Sequence, residues 1–168
     1  MATTNDIGPK LKAPPGTTDT HIHIYDKRFP TAKTAVVKPD DALVPDYMKV
    51  RRLLGIERTV VVQASAYGTD NRCTMDAVAA IGPSARAVCI VDQGVTDAEL
   101  ERLTKEGARG VRFFMLGGAP LPWDALEIVA ARVAPFGWHV IFQMDGRDLP
   151  EREAMLRRFP TKVIIDHT

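Results

Sequence analysis

His21-Ile22-His23 places two imidazoles at i and i+2 within an apolar run, TDTHIHIY (18–25), that reads as a strand. In a strand those two rings share one face, while Ile22 and Ile24 pack the other. Two convergent imidazoles can bind a divalent metal, or polarise a carbonyl as paired hydrogen-bond donors. Satisfaction of both rings by backbone carbonyls is the structural alternative. His167 ends another apolar run and joins the catalytic candidates. His139 begins its run, which puts it at the opposite edge in a structural role.

Arg112 lies inside a third kind of setting, the apolar stretch GVRFF. A guanidinium stays charged, so burial there is costly unless it is paired. It either meets a core carboxylate, Asp92 or Asp145, or clamps a substrate carboxylate or lactone oxygen. Gln143 and Ser65 are candidates for neutral hydrogen bonds to the same ligand, and each could equally be ordinary. In Tyr67-Gly68-Thr69-Asp70-Asn71-Arg72, an Asp or Asn is first a helix cap, although a loop on a catalytic face can also touch substrate.

These residues need a scaffold that gathers strand ends. Five further pieces alternate with it: TVVVQ (59–63), AVCIV (87–91), GVRFFM (110–115), HVIFQM (139–144) and KVIID (162–166) are separated by amphipathic helical segments. One helix opens at Pro45 and ends at Gly55, residues suited to a first turn and a left-handed cap. Another opens on Thr96-Asp97-Ala98-Glu99, a capping box. Short strands that are apolar on both faces suit a parallel sheet covered by helices.

An open doubly wound sheet would predict a glycine-rich phosphate loop, and neither GxGxxG nor GxxxxGK[ST] occurs. Polar residues instead end several strands: His21 and His23, Gln63, Arg112, Gln143, Asp166 and His167. That distribution favours the α/β barrel, an incomplete (β/α)8 TIM barrel of six parallel strands with outer helices.

Bulk composition narrows the partners. Lys plus Arg number 22 against 21 Asp plus Glu in 168 residues, which gives no reason to expect nucleic acid or a membrane surface. Only Cys73 and Cys89 occur, without metal-ligand spacing, and a reducing cytoplasm is the simplest expectation. The polar, proline-rich start, MATTNDIGPKLKAPPG, has no apolar core of a signal peptide. A homo-oligomer is left open.

Taken in order and spacing, TDTHIHIYD, VVVQASAYGTDNR, GARGVRFF and VIIDHT resemble the amidohydrolase-related family, nearest its 2-pyrone-4,6-dicarboxylate lactonase and galactarolactone isomerase branch. The resemblance runs from Thr17 onward and implies a hydrolase acting on a small carboxylated lactone. By resemblance, His21, His23 and His167 polarise the ester carbonyl, and Ser65 and Arg112 hold substrate. Members of that branch can work without metal, so no cofactor is expected; more distant relatives use the same histidine pair for a single divalent metal such as zinc. A sugar-lactone isomerase and a metal-dependent hydrolase or decarboxylase are the alternatives. Where the lactonases carry a second basic residue after the strand-four arginine, this chain has Met115-Leu116-Gly117-Gly118, which leans towards a sugar lactone; the intact histidine pair leans back.

The resemblance also implies domain limits. Residues 1–16 are expected to be disordered, and residues 17–168 to form a barrel domain stopping before the last two βα units. The aspartate expected on the final strand is then absent, with no substitute in Asp145, Asp148 or Asp166. A truncated, inactive fragment is the remaining alternative, and the 168-residue chain is expected to turn over poorly.

Overall fold

The computed structural model describes residues 9–167, so the first eight positions of the segment expected to be disordered lie outside it. Within the described part of that segment, Ala13 N donates to Leu54 O, and Glu57 accepts from Gly16 N.

Strands β1 (Thr18–Ile22), β2 (Arg58–Val62), β3 (Ala85–Cys89), β4 (Ala108–Phe114), β5 (His139–Gln143) and β6 (Val163–Ile165) pair in chain order. Every pair is parallel. Helices α1 (Val44–Leu54), α2 (Arg72–Ile81), α3 (Asp97–Lys105), α4 (Leu126–Val133) and α5 (Leu149–Leu156) connect them. Right-handed parallel crossovers put such helices on one side. The result is a half-barrel, an incomplete (β/α)8 sheet with its helices outside.

Two apolar layers follow from the period-two alternation of the strands. Val61, Val111, Val140 and Phe142 face the helices and are fully buried with Leu100, Leu103, Leu126 and Trp138. On the concave face Val62, Val88 and Ile141 form a much smaller cluster with Val60. Ile164 is in register with Ile141 yet 48% exposed, because β6 has only one strand neighbour.

Element ends differ from the sequence reading for identifiable reasons. The first strand stops at Ile22 instead of Tyr25, since the β1–β2 register shifts between Asp19 and Ile22. Tyr25 exchanges its backbone hydrogen bonds with Ala42 instead, at 3.1 and 2.8 Å. Strands β3 and β4 each begin two residues earlier than the apolar runs. Arg86 and Arg109 interrupt those runs but fold their guanidinium groups back onto the carbonyls of Pro83 and Thr104.

The caps at α1 are as expected, with Pro45 in the first turn and Gly55 at φ 75°. The box at α3 forms only halfway: Thr96 accepts from Glu99 N at 3.2 Å, while the Glu99 carboxylate turns to Arg102. Among the described residues no helix is long and apolar enough to cross a membrane.

Candidate functional site

The carboxyl ends of β1, β2, β4, β5 and β6 converge on one concavity. His21 and His23 project into it together, with ring centroids 4.9 Å apart and their Nε2 atoms separated by 3.4 Å. His167, just beyond β6, brings its ring to 5.3 Å from that of His21. It is the only non-glycine at positive φ among the described residues, at 59°. A left-handed histidine is uncommon, and the conformation turns its ring back towards β1.

Asp166 binds this group together. Its Oδ1 lies 3.3 Å from His21 Nδ1, and its Oδ2 lies 3.0 Å from His167 Nδ1 without completing a hydrogen bond. The sequence shows Asp166 at a strand end, and the motifs give it no role of its own. Period-two alternation carries Asp166 onto the face of Ile164, which is in register with the concave-face Ile141, whereas His167 reaches the site through its left-handed backbone.

The tautomer of His23 is fixed by geometry. Its Nδ1 lies 2.8 Å from Val62 O, and a carbonyl only accepts, so Nδ1 carries the proton. Burial is the main cause that depresses its pKa to about 4, against the raising effect of the Val62 hydrogen bond, with Arg112 and His21 adding to the depression. Neutral His23 therefore presents a lone pair at Nε2 and drops out of the expected pair of donors. His21 is also shifted down, first by burial and against the opposing pull of Asp166.

Depressed histidine pKa values make stability fall in acid. Protons bind the unfolded ring near its ordinary value of about 6.5 but the folded His23 only near 4, so stability is complete above that ordinary value and declines as pH falls towards 4. Complete titration corresponds to a loss on the order of 3 kcal/mol. Urea unfolding at pH 7 and pH 4.5 is expected to show this loss, and His23→Gln to diminish it. An undiminished loss in that variant would assign it to other groups.

Arg112 is 3% exposed and has no carboxylate partner among the described residues. One terminal nitrogen donates to Gln63 O at 3.0 Å, the other to Gln143 Oε1 at 2.6 Å, and Nε has no partner. The guanidinium also lies over the Phe114 ring, 5.2 Å from its centroid. The two carboxylates expected as structural partners are elsewhere: Asp92 is exposed and accepts from Gly94 N, and Asp145 pairs with Arg147. Burial pushes the Arg112 pKa down, Asp166 opposing, but a guanidinium starts too high to lose its proton.

Other candidates separate. Gln143 reaches the site by orienting Arg112. Ser65 lines a cavity beside it with Tyr25 and Phe114. Gln63 turns to the helical side, where its amide holds Gly68 O and Asp70 O and Thr74 donates to it. Asp70 accepts from Arg72 N at the start of α2, while Asn71 ties that loop to Ile90. His139 opens β5 at the far edge, against Gly110, where an added Cβ would meet its ring at 2.8 Å. Tyr25 was not among the candidates; its ring centroid lies 6.0 Å from that of His23.

Two nitrogens 3.4 Å apart match a metal-ligand pair, since bonds of about 2.0–2.1 Å at a tetrahedral angle span roughly that distance. Among the described residues no set of three or more His, Cys, Asp or Glu side chains is placed around one ion position. His21 and His23 thus fit as two ligands of an ion that would need others.

The amidohydrolase family model matches residues 18–168. The chain is 38% identical over 167 residues to a 2-pyrone-4,6-dicarboxylate hydrolase of Comamonas testosteroni, covering 97% of this chain and 55% of that protein. It is 32% identical over 161 residues to a D-galactarolactone isomerase of Agrobacterium fabrum, covering 95% of this chain and 55% of the relative. The chain therefore spans about half the length of the curated relatives it matches. An apo crystal structure from Agrobacterium tumefaciens superposes with a TM-score of 0.89 at 30% identity, covering 95% of this chain and 59% of the other. By sequence and by fold, the chain belongs to the amidohydrolase family.

Proposed function

We propose that this site opens small carboxylated lactones by hydrolysis. The observation that carries the reading is Arg112: a buried guanidinium with an orphaned Nε and neutral partners, beside a histidine cluster. A buried charge without an opposite charge is expensive, and a substrate carboxylate supplies what the chain does not. Arg112 anchors that carboxylate, with Gln143 holding the guanidinium in plane and Ser65 offering a neutral hydrogen bond.

The proton steps fall to the histidines. Asp166 orients His21 through Nδ1, leaving Nε2 towards the concavity. Water attacks the lactone carbonyl carbon as its proton passes to His21 Nε2, and Asp166 stabilises the imidazolium that forms. Collapse breaks the bond to the ring oxygen, which takes that proton, and the product is an open-chain hydroxy acid. His167 donates to the carbonyl oxygen while charge develops there; His23 accepts from His21 when that ring is protonated.

The 3.4 Å Nε2 separation favours a second reading, in which His21 and His23 hold a divalent metal. Such an ion would polarise the carbonyl as a Lewis acid. Proton transfer at His21 without net water addition is the isomerase variant of the first reading.

Lactone opening followed by loss of ring absorbance, in protein stripped of metal with a chelator, separates them. Retained turnover that His21→Ala lowers by about 10²–10⁴-fold supports the proton-transfer reading. Loss of turnover on stripping, restored by zinc, replaces it with the metal reading.

A further inference from the structure

Beside Arg112 the loop between β1 and α1 folds across the loop that follows β4. Between them lies a cavity of about 360 Å³, within the size range of small-molecule sites. Tyr25, Val36, Val37, Ser65, Phe114 and Gly118 line it, and none of its lining side chains is charged. Arg112 is not among the lining residues; it stacks on Phe114, which is.

The closure of this cavity depends on Gly118. Its φ is 81°, and an added Cβ would lie 2.7 Å from Val36 Cγ2 and 2.9 Å from Thr34 O. Both the backbone conformation and the approach of the opposite loop therefore require glycine. That approach leaves Val36 and Val37 at the cavity wall while still 74% and 66% exposed. Apolar side chains held at such exposure gain by being covered, and a ligand seated between the loops covers them. Tyr25 adds one directional contact: its hydroxyl has no hydrogen-bond partner among the described residues, and burial raises its pKa, which keeps it a donor.

We infer that this cavity is the subsite for the lactone ring substituent, and that it takes an uncharged, apolar group. The inference rests on the carboxylated-lactone reading above and narrows its substrate class to monocarboxylates. A second carboxylate placed there would be desolvated without a cation, with only two neutral hydroxyls to meet it. The single carboxylate goes to Arg112, and the ring lies against Phe114.

Two pyrones that differ at one position test this. Both carry a carboxylate at ring position 6; one has methyl at position 4, the other a second carboxylate. Calorimetric titration of the 168-residue chain is expected to give at least roughly 10-fold tighter binding of the methyl compound. Val36→Lys places a cation on the cavity wall at an exposed site, and is expected to improve dicarboxylate binding by about 10-fold and reverse or erase the preference. Gly118→Ala is expected to weaken the methyl compound by displacing the Val36 loop. Arg112→Ala reports separately on the anchoring carboxylate, and is expected to weaken both compounds alike. If the wild-type chain binds the dicarboxylate as tightly as the methyl compound while Arg112→Ala weakens both, the apolar subsite is overturned and the carboxylate reading stands. If Arg112→Ala changes neither, or neither compound binds, both readings fall.

Discussion

Replacing Arg112 with alanine is expected to weaken binding of a carboxylated lactone by about 2–5 kcal/mol, roughly 30- to 5,000-fold in Kd. The magnitude follows from burial. At 3% exposure the guanidinium is barely screened by water, so its attraction for a carboxylate is much stronger than at the surface. Truncation also leaves the Gln143 amide oxygen and Gln63 O without their donor. Arg112→Lys is expected to recover only part of the loss, because an ammonium cannot meet Gln63, Gln143 and a carboxylate in one plane. Calorimetry on folded variants checks this, with circular dichroism establishing the fold. Equal affinity in wild type and Arg112→Ala would remove the substrate role and leave Arg112 as a strut between β2 and β5.

The second large effect concerns closure of the barrel. Lactone turnover by the 168-residue chain is expected to be about 10²–10⁴-fold below that of a form in which further βα units join β6 to β1. Strands β1 and β6 each have one neighbour, and a groove of about 650 Å³ beside β6 exposes Leu149, Leu156, Val163 and Ile165. Water entering beside β6 reaches Asp166 and His167, the latter ring being 52% exposed. A higher local dielectric weakens the support of Asp166 for a protonated His21. Asp166 is also already committed to His21, so it orients a base instead of meeting the attacking water itself. Rates in the two forms on one monocarboxylate lactone test this. Comparable rates would show that the six-stranded sheet already holds a complete and protected site.

Which face a residue occupies was legible in the chain itself. Alternation in THIHIY puts His21 and His23 together, and the position of His139 at the start of its strand puts it at the far edge. The order of apolar runs and caps specified six parallel strands with helices outside. These are local properties, because the strand period and the first turn of a helix are set within a few residues. Partnership across the sheet is different.

Arg112 could have met Asp92 or Asp145 as far as the sequence shows, and it meets Gln63 O and Gln143 because β4 lies between β3 and β5 in a curved register. Gln63 directly follows β2 and Gln143 ends β5, yet one turns to the helices and the other to the site. Asp166 joins His21 only because the sheet curves enough to bring the end of β6 towards β1, a separation of 145 residues along the chain that no local pattern encodes. Tyr25 reaches the cavity wall because a register shift releases the chain after Ile22. The sequence by itself determined the elements, their order and the inward-facing histidines. Register and curvature decided the neighbours, and with them which polar groups were satisfied and which, like Arg112 Nε, have no partner among the described residues.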